Sequence, residues 1–195
     1  MKKIICHILL LALVALSCSD PFSGRGSEPP SESQGTYLTP VDPEIVLFNL
    51  ENSYNERIIA NFVQCLDTNF VFHFDHLLFG EFADSGWTYN SEVSLTEKMF
   101  ANYRKNADTR SLWLSMRIVP GLDRVEDTIA VLHREYQLNI ITDIDKAIPD
   151  TIRYVGTATF ELVEMGFNLW SIREWRDYHQ TSTDTSWADF KNGFR

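Results

Sequence analysis

Four long segments in the second half of the chain alternate apolar and polar residues, and they constrain the fold more than any other feature. The segments are 112–119, 129–144, 152–165 and 167–178. Each is rich in β-branched and aromatic residues, which favour strands. Successive side chains of a strand point to opposite faces, so each segment presents one largely apolar face. Glu164-Met165-Gly166-Phe167 has the residues of a hairpin turn. The pattern predicts long antiparallel strands in a sheet with one buried face.

The region before these strands begins with the periodicity of helices. Asp42-Pro43-Glu44 is a typical helix start, with Asp as N-cap, Pro at the first helical position and an acid in the first turn. Apolar or aromatic residues then recur at every fourth position from 46 to 66. That spacing drifts about 40° per step around a helix, so one straight helix cannot keep the set on one face. We therefore predict two helices, 43–53 and 56–66, with a break around 53–56.

A strand and a third helix complete the first half. Residues 69–75 alternate strictly, with Phe70, Phe72 and Phe74 on one face. Residues 91–103 have helical spacing, and after residue 112 a helix is expected only in the last few residues. Residues 42–195 are therefore predicted to form one α+β domain, in which three N-terminal helices pack on a curved antiparallel β-sheet.

The N-terminus has the pattern of an export signal. Two lysines precede an apolar run of about 13 residues, which is too short for a stable membrane span. Ala15-Leu16-Ser17-Cys18 resembles the lipobox of bacterial lipoproteins, in which the Cys is lipidated after cleavage. This predicts a signal peptide at 1–17 and a lipid anchor on Cys18. The alternative is an ordinary secretory signal cleaved near Ser17.

Residues 18–41 are then a lipidated Cys and a flexible tether, because a stretch rich in Ser, Pro, Gly and Glu buries too little apolar surface to fold. The expected location is the bacterial cell envelope, anchored by lipid. Ser19 resembles the residue that follows the lipidated Cys in proteins sent to the outer membrane, so the domain is expected to face the periplasm.

Composition excludes several classes of function. The net charge of −10 argues against nucleic acid as a partner, since phosphate binding needs a positive face. Of the three cysteines, Cys6 leaves with the signal and Cys18 carries lipid, so Cys65 is expected to be a buried thiol. His73 and His76 lack a third metal ligand at a recognisable spacing. No metal site and no cofactor are expected, because phosphate-loop and nucleophile-elbow motifs are also absent from the sequence.

Particular residues, together with this order of elements, resemble the nuclear transport factor 2-like superfamily. The resemblance covers about residues 43–178. Its most specific parts are Leu50-Glu51-Asn52-Ser53-Tyr54-Asn55, Phe70-Val71-Phe72, Trp87, and Leu169-Trp170-Ser171-Ile172-Arg173-Glu174-Trp175. The ending Thr185-Ser186-Trp187 with Phe190-Lys191 also resembles bacterial lipoproteins that carry this domain. The resemblance implies a cone-shaped fold with a pocket between helices and sheet. It implies no single activity, since the superfamily contains both enzymes and non-enzymes.

Several residues are candidates for a site in that pocket. Arg134 lies in an apolar row of a predicted strand, two positions before Tyr136, and must either pair or line a cavity. We expect Glu174 or Glu161 to be its partner. Either Arg134 forms an inward ion pair, or Arg134, Tyr136 and Glu174 bind an anionic or carbonyl-bearing ligand.

The catalytic candidates are weaker. Some enzymes of the superfamily keep an Asp near the end of the first strand, which makes Asp75 a candidate, although alternation with the three Phe residues places it on the other face. The remaining candidates are Glu161 as a base and Tyr54 as a hydrogen-bond donor.

Three functions remain open from the sequence. The first is a membrane-anchored, non-enzymatic lipoprotein whose cone binds a small apolar or anionic ligand or a partner protein. The second is an isomerase- or cyclase-like enzyme that uses a pocket carboxylate as general base. The third is a subunit of an assembly, such as a homodimer, because sheets of this superfamily commonly pair face to face.

Overall fold

The first helix begins and ends at clear local signals. The computed structural model describes residues 35–74, 86–181 and 183–195, all within one compact unit. In these residues the helices are α1 (Pro43–Glu56), α2 (Ile59–Gln64), α3 (Tyr89–Lys105) and α4 (Trp187–Asn192). The Asp42 side chain accepts a hydrogen bond from the Glu44 N–H at 2.8 Å and caps α1. Arg57 has a φ of 58° and ends it, so the predicted break occurs just after residues 53–56.

The strands form one sheet. They are β1 (Leu66–Phe74), β2 (Trp87–Thr88), β3 (Arg110–Ile118), β4 (Arg124–Val125), β5 (Ile129–Thr142), β6 (Asp150–Glu164) and β7 (Trp170–His179). The strand order is β2-β1-β7-β6-β5-β3, and β4 pairs with β5. The predicted α+β fold is confirmed. One pair differs from the predicted antiparallel arrangement, since β1 and β7 are parallel. These two strands are far apart in sequence, so no hairpin imposes an antiparallel direction on them.

One face of the sheet packs against the helices and forms the core. Phe70, Phe72 and Phe74 are buried on β1, as the alternation predicted. On β5 the whole predicted inward row is buried, including Arg134 and Tyr136. We call the space between this face and the helices the cone interior, and the opposite face of the sheet the outer face.

An irregularity in β7 reverses which side chains face inward. Glu161 pairs with Glu174 but Leu162 pairs with Ile172, so Arg173 is an extra residue in the ladder. A bulge of this kind shifts the alternation by one position. Ile172 is buried before it, whereas Trp175 and Asp177 are buried after it. Glu174, expected as a partner of Arg134, therefore faces outward rather than inward with Trp170 and Ile172.

Helix α1 covers the edge of the sheet at β3. The Leu114 N–H donates to Asn55 Oδ1 at 2.7 Å, and Asn55 Nδ2 donates to the Leu114 carbonyl at 3.0 Å. The Met116 N–H donates to Glu51 Oε2 at 2.9 Å. These side chains form hydrogen bonds with backbone groups of β3 that could otherwise pair with another strand.

The chain just before α1 also contacts the domain. The Leu38 N–H donates to Asn49 Oδ1 at 2.9 Å, and the Trp170 N–H donates to the Pro40 carbonyl at 2.9 Å.

The signal peptide at 1–17, the lipid anchor on Cys18 and most of the tether at 18–41 lie outside the described residues. They stay predictions, as does the domain boundary at residue 42. Within the described ranges, no helix combines the length and apolar character needed to cross a bilayer.

Candidate functional site: the cone interior

Helix α4 occupies the cone interior. Ser186 and Asp189 form a capping box that starts this short helix. Trp187 is fully buried, with its ring centroid 5.0 Å from those of Tyr54 and Tyr136 and 4.2 Å from that of Trp175. The C-terminal helix is therefore part of the core.

A tyrosine and an aspartate hold the start of α4. Tyr136 donates its hydroxyl to Asp177 Oδ1 at 2.6 Å and accepts the Trp187 N–H at 2.8 Å. Asp177 Oδ2 accepts the Ala188 N–H at 2.7 Å. Burial raises the pKa of the Asp177 carboxyl, although these donors oppose the rise. Burial also raises the pKa of the Tyr136 hydroxyl, and the nearby Asp177 charge adds to that rise.

A buried ion pair holds the end of the same helix. Lys191 Nζ lies 2.5 Å from Glu92 Oε1, and both side chains are fully buried. The ammonium group also lies 3.8 Å from the centre of the Trp175 ring and 4.2 Å from that of Phe72. Burial lowers the pKa of Lys191, while the attraction of Glu92 opposes that change. Thr96 Oγ1 donates to Glu92 Oε1 at 3.3 Å.

Tyr54, a catalytic candidate, does lie in the cone interior and is fully buried. Its hydroxyl accepts the indole N–H of Trp187 at 3.1 Å. Burial raises the pKa of the Tyr54 hydroxyl. Tyr54 therefore also contacts α4, as Tyr136 does.

Arg134 is buried as predicted but its partners are different. Its guanidinium donates to both oxygens of Asp123, at 3.1 and 2.8 Å, and to Glu44. The expectation that Glu174 or Glu161 pairs with it is wrong, because both lie on the outer face. The two carboxylates that bind Arg134 come from the start of α1 and the β3–β4 loop, so the arginine ties these segments to β5. Its positive charge is already balanced.

The other predicted carboxylates do not face the interior. Glu161 bonds Arg173 Nε at 3.1 Å, and Glu174 bonds Arg176 at 2.5 Å. Each therefore belongs to an ion pair on the outer face, so Glu161 is not a carboxylate deep in the cone. Asp75 lies outside the described residues and stays a prediction. His73 is about 40% exposed and lies 3.7 Å from Glu174.

Comparison with known proteins supports the fold. No protein-family model matches the chain, and no curated protein matches it significantly. Solved structures match over most of the domain. A nuclear transport factor 2-like superfamily protein from Salmonella enterica is 13% identical, with a TM-score of 0.50, and the match covers 73% of this chain and 93% of that one. The domain has the nuclear transport factor 2-like fold.

Two further structures show how widely this fold is used. The β subunit of a benzoate 1,2-dioxygenase from Burkholderia mallei is 8% identical, with a TM-score of 0.52, and the match covers 70% of this chain and 87% of that one. A protein from Kribbella flavida is 9% identical, with a TM-score of 0.52 and coverage of 70% and 86%. At such identities the likeness shows the fold alone.

The roles of three important side chains of this domain were not predicted from sequence. Asp177 was not predicted because an unbroken alternation from Trp170 and Ile172 places it on the outer face, although the three-residue step from Ile172 to Trp175 was a usable signal of the bulge. Glu92 carried a usable signal, since it lies three and seven positions before the core residues Leu95 and Met99 on α3. Lys191 lies next to Phe190 in a short terminal helix, where a lysine is usually exposed.

Elsewhere in this domain lies a polar cavity of about 290 Å³. Its lining includes Tyr136, a predicted ligand-binding residue, together with Ser115, Arg117, Glu135 and Gln137. Across the part of the chain that the structure describes, no three His, Cys, Asp or Glu side chains cluster in a way that could hold a metal ion. Cys65 is buried, and burial raises the pKa of its thiol.

Proposed function

We propose that the protein is a membrane-anchored lipoprotein of the bacterial cell envelope whose nuclear transport factor 2-like domain acts by binding rather than by catalysis. The short apolar N-terminal run and the lipobox-like Ala15-Leu16-Ser17-Cys18 support the anchor. The tether would let the domain reach partners or ligands away from the membrane surface.

The observation that carries the binding proposal is the use of the interior polar groups. Tyr54, Tyr136, Asp177 and Glu92 would be the natural acid, base and donor groups of an active site. Each of them contacts α4. A substrate therefore cannot reach these groups while α4 is in place, so a ligand of the cone must displace α4.

The buried charges also favour some ligands over others. The interior contains the carboxyl groups of Glu92 and Asp177, and a ligand that displaced α4 would remove the Lys191 charge, which attracts both. Arg134, which suggested an anionic ligand, is already bound by two carboxylates. An anion would meet net negative charge in low dielectric, which is unfavourable. The proposed ligand is therefore apolar or cationic.

Metabolic labelling tests the anchor. The full chain, expressed in bacteria with its own N-terminus, should incorporate labelled palmitate and sediment with the envelope. Cys18→Ser should abolish the label, whereas Cys65→Ser should keep it as the matched control. An unlabelled wild-type protein released to the periplasm would show that the segment is an ordinary secretory signal.

Native mass spectrometry tests ligand binding. The full chain, extracted from its own envelope in mild detergent, should carry a small molecule of reproducible mass. Trp187→Ala, which loosens α4, should increase its occupancy, while Arg117→Ala on the outer face should not. If both the wild type and Trp187→Ala are free of bound molecules, the cone interior is only a packed core.

The hydrogen bond between Tyr136 and Asp177 favours one alternative, an isomerase- or cyclase-like enzyme with a pocket carboxylate as general base. Asp177 fits, because it is a buried carboxyl of the cone interior and its pKa is raised. Conversion of a β,γ-unsaturated ketosteroid to its conjugated isomer can be followed by ultraviolet absorbance. Turnover by the wild type that is lost in Asp177→Asn would establish the enzyme. If the wild type and Asp177→Asn both convert the ketosteroid at the background rate, the result supports the binding function rather than the enzyme.

A further inference from the structure

The surroundings of Lys191 have the features of a receptor for an ammonium group. One carboxylate oxygen lies 2.5 Å from Nζ, and the faces of two aromatic rings lie 3.8 and 4.2 Å from it. Aromatic faces attract cations most strongly when water is excluded. We propose that the cone contains a binding site for a primary alkylammonium ion, formed by Glu92, Trp175 and Phe72, which Lys191 occupies in this structure and from which a free ligand can displace it.

The site is formed without α4. Glu92 comes from α3, Phe72 from β1 and Trp175 from β7, so these three groups converge independently of the helix that supplies the lysine. Departure of α4 would leave a carboxylate beside two ring faces, with no cation between them. An unpaired buried carboxylate is unfavourable, so the emptied site would favour a cation from solution.

Unused hydrogen-bonding capacity points to a ligand as well. Glu92 Oε2 is fully buried and has no hydrogen-bond partner within the described part of the chain. An ammonium group has three N–H donors, and Lys191 uses one of them on Oε1. A smaller ligand that is not attached to a helix could turn to reach both oxygens. This favours a primary ammonium over a quaternary one, which has no N–H to donate.

The site differs from the surroundings of Arg134. There the planar guanidinium is bound by two carboxylates, without an aromatic ring face in contact among the described residues.

The proposed site deepens the proposed function, because it rests on binding in the cone and adds the ligand class. Its tests add amines to Lys191 and Glu92 variants and to the wild-type chain, so they can fail while the native mass spectrometry experiment succeeds.

Chemical rescue of a lysine deletion is the first experiment. Lys191→Ala removes three carbons and the ammonium, which n-propylammonium replaces. At ten times its dissociation constant the ion should raise the folding equilibrium constant of this variant about tenfold, measured by urea unfolding or, if the variant is unfolded, by recovery of its circular dichroism. n-Propanol at the same concentration and sodium chloride at the same ionic strength should leave this folding equilibrium constant unchanged.

Two variants are matched controls. Lys191→Met places an uncharged side chain in the space that the lysine side chain occupies. Glu92→Gln/Lys191→Ala removes the carboxylate as well as the lysine. Neither should be stabilised by n-propylammonium. Equal stabilisation by n-propanol, or equal stabilisation of Lys191→Met, would overturn the proposal, because it would show a non-specific solvent effect.

Amide hydrogen exchange tests displacement in the wild-type chain. n-Propylammonium should accelerate the exchange of residues 188–193 in a dose-dependent way, and n-propanol should not. In the wild-type chain Lys191 competes with n-propylammonium for the site, and it does so intramolecularly. The experiment should therefore extend to n-propylammonium concentrations about a hundredfold higher than those used for Lys191→Ala. Unchanged exchange across that range would overturn the displacement.

Discussion

Lys191 and Arg134 are both buried cations, but their surroundings differ. Lys191 and its partner Glu92 are both fully buried. Arg134 is 3% exposed, whereas its partners Asp123 and Glu44 are 23% and 50% exposed. A carboxylate that reaches water can be hydrated when its partner is removed, and a fully buried one cannot. The comparison indicates that burial of Lys191 depends on its ion pair with Glu92. Arg134, in contrast, can lose one of its two carboxylate partners at a smaller cost in stability.

The largest effect is expected for Glu92→Leu, which leaves the Lys191 ammonium without its partner. The variant should lose about 3–5 kcal/mol of unfolding free energy, measured by urea denaturation. Glu92→Leu/Lys191→Met should recover most of the loss, because the buried charge is gone. A loss below about 1 kcal/mol in the single variant would show that water reaches the pair.

A smaller loss is expected for Arg134→Met, about 2 kcal/mol in the same measurement, because the freed Glu44 and Asp123 carboxylates become hydrated. Asp123→Asn should cost less, since Glu44 still binds the arginine. A loss for Arg134→Met as large as that for Glu92→Leu would contradict the proposed difference between the two cations.

The pH dependence of stability should come partly from Asp177. Its pKa is raised above the ordinary value of 3.8 in the folded chain. Its contribution to stability is thus fully present below pH 3.8 and is lost as the pH rises towards the folded pKa. The stability of wild type relative to Asp177→Asn should fall by up to about 1.4 kcal/mol per pH unit in that window. A flat difference from pH 4 to 7 would contradict the raised pKa.

The smallest effect is expected on the outer face. Arg117, 80% exposed on its side chain, bonds Glu135, which is 43% exposed. Arg117→Ala should cost only about 0.2–1 kcal/mol, and salt should reduce that further. If the outer face forms the interface of a homodimer, the loss should be larger and should depend on protein concentration. Sedimentation of both proteins, run in parallel, distinguishes the two cases.

The sequence by itself determined the order and type of the elements. Alternation placed Phe70, Phe72 and Phe74 on one face of β1 and Arg134 on the inward face of β5, since side chains alternate along any regular strand. The four-residue spacing after Pro43 required a break, which occurs at Arg57. These features are local, so local patterns were enough.

Only the tertiary structure decided the site. The bulge at Arg173 turned Glu174 outward and Asp177 inward. In the sequence it shows only as the three-residue step from Ile172 to Trp175, which does not say which of the following side chains face inward. Arg134 found its partners on segments that the fold brings together, rather than on β6 and β7. Lys191 entered the interior because Glu92, 99 positions earlier in the chain, supplies the carboxylate that makes its burial tolerable. Long-range pairing of this kind depends on chain folding, and a sequence pattern reports only the neighbours of a residue along the chain.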